Sequence, residues 1–208
     1  MKGLMLKDLL MAKKYCRSYA IIIIVFLTVA FANKENFFFV SYPCILCGIL
    51  PVTLLAYDER SHWLQYSCTL PYSRKQIVSV KYLIGISIQV IVLLLSAAVM
   101  AVKMKTSGSF SLSKLLFNVS VVFFISSLTA SVNLPLMFKL GVEKGRVWYY
   151  IMIGFACALG VLVSGAFSHS VSAAAPGPVL SAVFLPAGVL MYFVSWSLAV
   201  RLFEKREL

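Results

Sequence analysis

Six long apolar runs, separated by short polar stretches, constrain the fold of this chain more than any other feature of its sequence. Hydrophobic residues make up 61% of its 208 residues and charged residues only 12%, which is about half the charged share of a typical soluble domain. Each run approaches the roughly 20 residues that an α-helix needs to cross about 30 Å of hydrocarbon. The sequence therefore predicts an all-α, polytopic membrane protein, with a single transmembrane domain over residues 1–208.

The predicted spans cover residues of about 19–32, 37–57, 77–102, 115–138, 147–167 and 179–200. Ahead of them, residues 1–17 place Met5, Leu9 and Ala12 on one helical stripe and most of the lysines elsewhere, which is typical of a helix lying at the membrane interface. The apolar core IIIIVFLTV, followed by Ala-Phe-Ala, also resembles a secretory signal with its cleavage site. We interpret it as a retained first span, and cleavage would leave the later spans in the same orientation.

Basic residues fall mainly on one side of these spans. With the N-terminus inside, the inner segments hold most of the 19 lysines and arginines, Lys81 among them, and the outer segments hold only Lys34, Lys103, Lys105 and Lys114. The positive-inside rule then predicts that both termini are cytoplasmic. The net charge of +12 is explained by topology and by anionic lipid, so no nucleic acid partner is expected.

No catalytic or metal-binding motif accompanies the spans. The sequence lacks the GxxxxGK[ST], HExxH and GxSxG motifs, and its two histidines, His62 and His169, fall on opposite predicted faces. Cys44 and Cys47 form a CxxC inside a predicted span without a second pair, so we interpret them as small buried hydrophobes. We expect that the chain is not an enzyme and binds no cofactor or metal of its own.

The centres of the predicted spans carry no clear ionisable residue, which argues against an ion-coupled pump. A cargo pathway would then be apolar or lined by hydroxyl and amide groups, for which the candidates are Ser126, Ser127, Thr129, Ser131 and Asn133. Energy for transport would have to come from another subunit.

The most polar segment, AYDERSHWLQYSCTLPYSRKQIVSVKY over residues 56–82, lies between the second and third spans. Residues 58–60 can start a short helix that continues through Trp63, with Pro71 ending it and Ser73 opening the next helix. A helix parallel to the membrane is one interpretation. The other is a solvated connector, which the tryptophan and tyrosines anchor at the interface.

Three motifs resemble the permease subunits of type-2 ABC exporters, in particular the compact bacterial branch that includes the phenol-soluble modulin exporters. They are the leader MKGLMLKDLL, the segment AYDERSHWLQYSCTLPYSRKQIVSVKYL and the stretch PLMFKLGVEKGR before the fifth span. The resemblance covers nearly the whole chain. It implies a six-helix permease of the bacterial plasma membrane that moves amphipathic peptide or other hydrophobic cargo outward by alternating access.

The resemblance also implies partners. A second permease subunit, identical or related, would complete a dimer, and two copies of an ABC ATPase would bind its cytoplasmic face and hold the ATP and Mg. Residues 1–17 would be the elbow helix, and residues 58–76 the coupling segment.

Roles of single residues follow from the same resemblance. Docking of the ATPase is expected at Asp58, Glu59, Arg60, His62, Trp63 and Gln65. The return into the third span would use Pro71, Ser73, Arg74 and Lys75, and the second inner loop Lys139, Glu143, Lys144 and Arg146. Small residues that permit close packing, within the chain or between subunits, are Gly154, Ala156, Gly160 and Ser164.

Two other functions are compatible with the residues alone. A membrane-embedded substrate-binding subunit of a vitamin importer has about this size and number of helices. Such a subunit would be expected to carry polar ligand-binding groups on its outer side, and this chain scarcely offers any there. A structural or regulatory membrane protein without a transport role would fit the composition as well.

Overall fold

The computed structural model describes residues 2–15, 17–32, 37–67, 69, 72–106, 108, 111–151, 154 and 178–205. Over these ranges every regular element is an α-helix. The helices are α1 (Lys2–Tyr15), α2 (Arg17–Ala32), α3 (Phe37–Arg60), α4 (Trp63–Ser67), α5 (Arg74–Thr106), α6 (Leu112–Leu140), α7 (142–151) and α8 (Pro178–Glu204). The predicted all-α fold class is confirmed for the described part of the chain.

Four of the described helices are long and apolar enough to cross a membrane: Phe38–Arg60, Arg74–Thr106, Leu112–Leu140 and Val183–Glu204. A fifth span results if α1 and α2, which are bent by 61° at their junction, are taken together. Alone, the 16 residues of α2 extend for about 24 Å, less than the hydrocarbon thickness of about 30 Å. The protein is a multi-pass membrane protein. Its predicted fifth span, 147–167, lies mostly outside the described residues, so the count of six stays a prediction.

The start of α5 follows from a local capping pattern. The backbone N–H of Gln76 donates to the Ser73 hydroxyl, and the backbone N–H of Ser73 donates to the Gln76 side-chain oxygen, both at 3.3 Å. This reciprocal pair satisfies two of the N–H groups that the first turn of a helix leaves without partners. The predicted opening of a helix at Ser73 is therefore present.

The end of α3 differs from the sequence prediction. Residues 58–60 do not start a new helix but form the last turn of α3, and the chain turns at His62, whose φ is 55°. Acidic side chains in a last turn face the negative end of the helix dipole. They are retained there because Asp58 and Glu59 bind partners on other helices, as described below.

The core of the bundle is centred on α6, which packs against α3 on one side and α8 on the other. The buried Phe138 ring lies 5.3 Å from the Phe203 ring of α8. Towards α3, a Cβ added to Gly48 would stand 3.0 Å from the carbonyl oxygen of Ser126. The absence of a side chain at Gly48 thus allows α3 and α6 to approach closely.

Polar side chains inside the bundle bond across helices. Pro135 has no N–H, so the Ser131 carbonyl one turn earlier lacks its usual helical donor. The Ser195 hydroxyl of α8 donates to that carbonyl at 2.8 Å, and it lies 2.6 Å from the Tyr82 hydroxyl of α5. The carbonyl that Pro135 leaves without a helical donor is thereby satisfied by a neighbouring helix, as apolar surroundings require.

A second polar group lies further along α5. Gln89 is buried, its amide nitrogen donates to Ser127 at 3.2 Å, and its oxygen accepts from the Tyr192 hydroxyl at 2.7 Å. Two of the hydroxyl groups that the sequence offered as pathway lining therefore bond to neighbouring helices: Ser127 accepts from Gln89 of α5, and Ser126 donates to the Cys44 carbonyl of α3 at 2.6 Å.

Candidate functional site

Four charged side chains meet at one end of the bundle, which we call the charged end, where α1 contacts the end of α3 and the start of α5. The Lys81 ammonium lies 2.5 Å from the Asp58 carboxylate and 2.8 Å from that of Asp8. Lys7 also pairs with Asp58, and its ammonium is 3.3 Å from the Asp8 carboxylate. Asp8, Asp58 and Lys81 are each 1% exposed. We call this group of four residues the charge cluster.

Opposite charges in the charge cluster balance, since it holds two ammonium groups and two carboxylates. Removing such groups from water costs several kcal/mol each, so they are retained in an interior only when they are closely paired. The cluster therefore fixes α1, α3 and α5 to one another, and the loss of one member leaves an unpaired buried charge.

The short helix α4 is linked to this cluster through Trp63. The Lys7 ammonium lies 4.3 Å from the centre of the Trp63 ring, a distance at which the ring quadrupole attracts a cation. Lys7 thus contacts α4 on one side and the Asp58 carboxylate on the other. Lys7 therefore links α4 to α1, and through the charge cluster to α3 and α5.

A polar cleft of about 740 Å³ lies beside the cluster at the charged end. It is bounded by the end of α3, the turn that follows, and the junction of α6 with α7. Side chains of the two predicted inner segments line it, namely Glu59, Arg60 and His62 from the first and Glu143, Lys144 and Arg146 from the second. The structure therefore brings these two groups of predicted site residues together.

Glu59 joins the two segments directly. Its carboxylate accepts a hydrogen bond of 2.6 Å from the backbone N–H of Val142, the first residue of α7. A carboxylate in this position satisfies a free N–H and complements the positive end of the helix dipole. The preceding Gly141, at a φ of 82°, provides the turn that separates α6 from α7.

The six residues predicted to dock an ATPase divide into inward and outward groups. Asp58 lies inside the charge cluster, and Glu59 is engaged by Val142. Arg60, His62 and Gln65 are exposed, and Trp63 is half-buried. Docking itself stays a prediction. The Asp58 side chain, however, has no surface that a partner subunit would touch.

Of the residues predicted to guide the chain into the third span, Pro71 lies outside the described residues. Arg74 donates to the carbonyls of Phe203 and Glu204 at 3.0 and 2.9 Å, which satisfies the end of α8. The Lys75 ammonium lies 5.3 Å from the Trp196 ring. The start of α5 is thus fixed to the end of α8.

The predicted small-residue packing is described only at Gly154, where a Cβ would meet nothing within 4 Å. Ala156, Gly160 and Ser164 lie outside the described residues, as does His169. Lys139 is exposed at the end of α6. Cys44 and Cys47 are free and buried, and the described residues contain no cluster of three or more His, Cys, Asp or Glu side chains suited to a metal.

Asp8 and Lys81 are the site residues that sequence reasoning missed. The sequence alone places Lys81 among the inner basic residues and indicates no partner for Asp8. One signal was present, because Asp8 is the only acid in an otherwise basic leader and Lys81 interrupts the apolar run IVSVKYLIG. Their pairing is not visible in the sequence, since 73 positions separate them.

A protein-family model described as ABC-2 family transporter protein matches residues 3–204. No curated protein and no solved structure matches the chain significantly.

Proposed function

This chain belongs to the ABC-2 family of transporter proteins, whose membrane subunits work with an ABC ATPase, and we propose that it is the permease of an exporter. Its cargo would be an amphipathic peptide or another hydrophobic molecule, moved out of a bacterial cell by alternating access. The observation that carries this proposal is the meeting of the two inner segments, joined by Glu59 and Val142, in one polar cleft.

In this proposal the charged end faces the cytoplasm and binds the ATPase, of which the complete transporter holds two copies. Arg60, His62 and Gln65 are exposed beyond the last turn of α3. Lys144 and Arg146 project from the other side of the cleft. An acidic surface on the ATPase would complement these basic groups, and ATP with Mg would be held by that subunit.

Coupling would proceed through α4, acting as the coupling helix, and α1, acting as the elbow helix. Closure of the ATPases would displace α4, whose Trp63 contacts Lys7. Lys7 would then move the charge cluster, and with it the ends of α3 and α5. Rigid transmission is favoured because buried charges cannot separate without a large energetic penalty.

The proposed cargo agrees with the interior of the bundle. Buried charges at the charge cluster pair with each other, and the polar groups further along α5 are amides and hydroxyls. Such surroundings accept apolar or amphipathic molecules more readily than ions. A second permease subunit, packed through the fifth predicted span, would complete the pathway.

Charge reversal on the exposed side of the cleft tests the docking proposal. We expect that Arg60→Glu combined with Arg146→Glu reduces co-purification of the ATPase, because two complementary charges become repulsive. Lys105→Glu, at the opposite end of α5, is the matched control and should retain assembly. Unchanged assembly and unchanged export in the double variant would refute docking at this cleft.

A further inference from the structure

An apolar groove of about 490 Å³ runs between α5 and α8. Its wall on α5 includes Leu83, Ile86 and Val90, and its wall on α8 includes Val189 and Phe193. These side chains are between 38% and 63% exposed. The groove is therefore open at the surface of the bundle and offers its occupant mainly hydrocarbon.

One end of this groove is polar and has a defined geometry. The Trp196 indole N–H donates to the Ser79 hydroxyl at 3.0 Å, and both residues line the groove. The Lys75 ammonium lies 5.3 Å from the Trp196 ring. Lys75, Ser79, Leu83 and Ile86 follow a helical i, i+4, i+8, i+11 pattern, so Lys75 continues the same stripe of α5 beyond the groove.

The length of the groove agrees with one leaflet of a bilayer. Ser79 and Val90 are 11 positions apart on α5, which corresponds to about 16 Å along a helix. Half of a hydrocarbon core of about 30 Å is about 15 Å. Tryptophan is typical of the membrane interface, so Trp196 marks where the hydrocarbon ends and Lys75 lies at the level of the headgroups.

The charge at this end favours an anionic headgroup. The adjoining ends of α5 and α8 carry the basic residues Arg74, Lys75, Arg201 and Lys205 and the acidic residue Glu204. Arg74 is bonded to the last carbonyls of α8, whereas Lys75 is exposed. A phosphate beside Lys75 would meet an excess of positive charge.

We propose that this groove is a binding site for an anionic phospholipid of the leaflet at the charged end. One acyl chain lies against Leu83, Ile86 and Phe193, and the phosphate pairs with Lys75. Bound lipid fixes α5 to α8 at the end of the bundle where Arg74 already joins them. This site is independent of the cargo and of the direction of transport.

Native mass spectrometry of the full-length chain in a mild detergent tests the headgroup. Phosphatidylglycerol and phosphatidylcholine with identical acyl chains would be titrated separately. We expect tighter binding of phosphatidylglycerol, and we expect Lys75→Gln to weaken that binding about fivefold, the effect of removing one basic group near an anionic lipid. Lys75→Arg should retain it.

Lys139→Gln is the matched control, because Lys139 is exposed at the same end of the bundle but does not line the groove. It should leave the affinity unchanged. Ile86→Trp fills the groove and should weaken the binding of both lipids. Equal affinity for the two headgroups, or an equal loss in Lys75→Gln and Lys139→Gln, would overturn the proposal.

A phospholipid with a photoactivatable acyl chain tests the place of the chain. We expect labelled peptides from α5 and α8 that contain Leu83 and Phe193. Labelling spread equally over the exposed isoleucines of α2 would indicate bulk lipid and refute a specific site. A disulfide formed between two copies of a Leu83→Cys variant in membranes would also refute it, since a second subunit would then cover the groove.

Discussion

Lys81 illustrates how a single residue fixes this fold. Its ammonium is 1% exposed and contacts two carboxylates, one from α1 and one from α3. A lysine in such a position stabilises the fold only while both anions are present. The residue therefore has a structural role that its place among other basic residues does not suggest.

Lys81→Met leaves Asp8 and Asp58 with Lys7 as their only cation in the cluster. We expect the free energy of unfolding to fall by about 3–5 kcal/mol, as when one partner of a buried ion pair is removed. Thermal unfolding of the detergent-purified chain measures this, and Lys105→Met at the other end of α5 is the control. Adding Asp58→Asn restores the charge balance and should recover part of the loss; simple additivity would contradict the cluster.

Ser195→Ala removes the donor that serves the Ser131 carbonyl beside Pro135. We expect a loss of about 1 kcal/mol, typical of one interhelical hydrogen bond in a membrane protein. The exposed Ser197→Ala should have no effect. Pro135→Ala supplies a helical N–H to the same carbonyl, so it should reduce the cost of Ser195→Ala. An undiminished cost in the double variant would show that this carbonyl is not the reason.

At the scale of elements, the end of α3 serves two neighbours. Asp58 points towards α1 and α5, and Glu59, the next residue, points towards α7. Adjacent helical residues project about 100° apart, so one turn of helix contacts both sides of the charged end. The stability of α7 therefore depends on its contact with α3 as well as on its own sequence.

Glu59→Ala removes the acceptor at the start of α7. We expect faster hydrogen exchange at residues 143–146, because loss of a capping acceptor costs about 0.5–2 kcal/mol of helix stability. Hydrogen exchange read by mass spectrometry measures this, with Glu143→Ala, an exposed acid of the same helix, as the control. Equal exchange in the two variants would argue against capping by Glu59.

The sequence predicts features that depend on neighbouring residues better than contacts between residues that are far apart in the chain. Apolar runs predicted the helical stretches of α3, α5, α6 and α8, and the start of α5 was predictable because Ser73 and Gln76 are three residues apart. The predicted end of the second span was wrong, because the residues 58–60, Asp-Glu-Arg, resemble the start of a helix when the partners of Asp58 are unknown. The charge cluster was missed because no local rule connects residues 8, 58 and 81.

At the scale of the whole molecule, substitutions of the inward-facing and of the exposed residues of the polar segment should have different effects on ATPase binding and on transport. Trp63→Ala removes the contact of α4 with Lys7 while the exposed residues remain. We expect the ATPase still to bind, but cargo transported per ATP hydrolysed to fall severalfold. Reconstituted vesicles measure both quantities.

Trp63→Phe keeps an aromatic ring for Lys7 and should retain most of the coupling. Loss of ATPase binding in Trp63→Ala would instead place Trp63 in the docking surface. Full coupling in Trp63→Ala would refute transmission through Lys7.

The charge cluster also sets an order for biogenesis. Synthesis begins at the N-terminus, so Asp8 and Asp58 are synthesised and leave the ribosome before Lys81 does, and until Lys81 follows, Lys7 is the only basic member of the cluster that can pair with them. The contacts of α1 with the bundle are completed only after α5 has been inserted into the membrane. A chain that ends before residue 81 would hold the two acids against one base, so α1 and the end of α3 would lack the cation that balances the second acid.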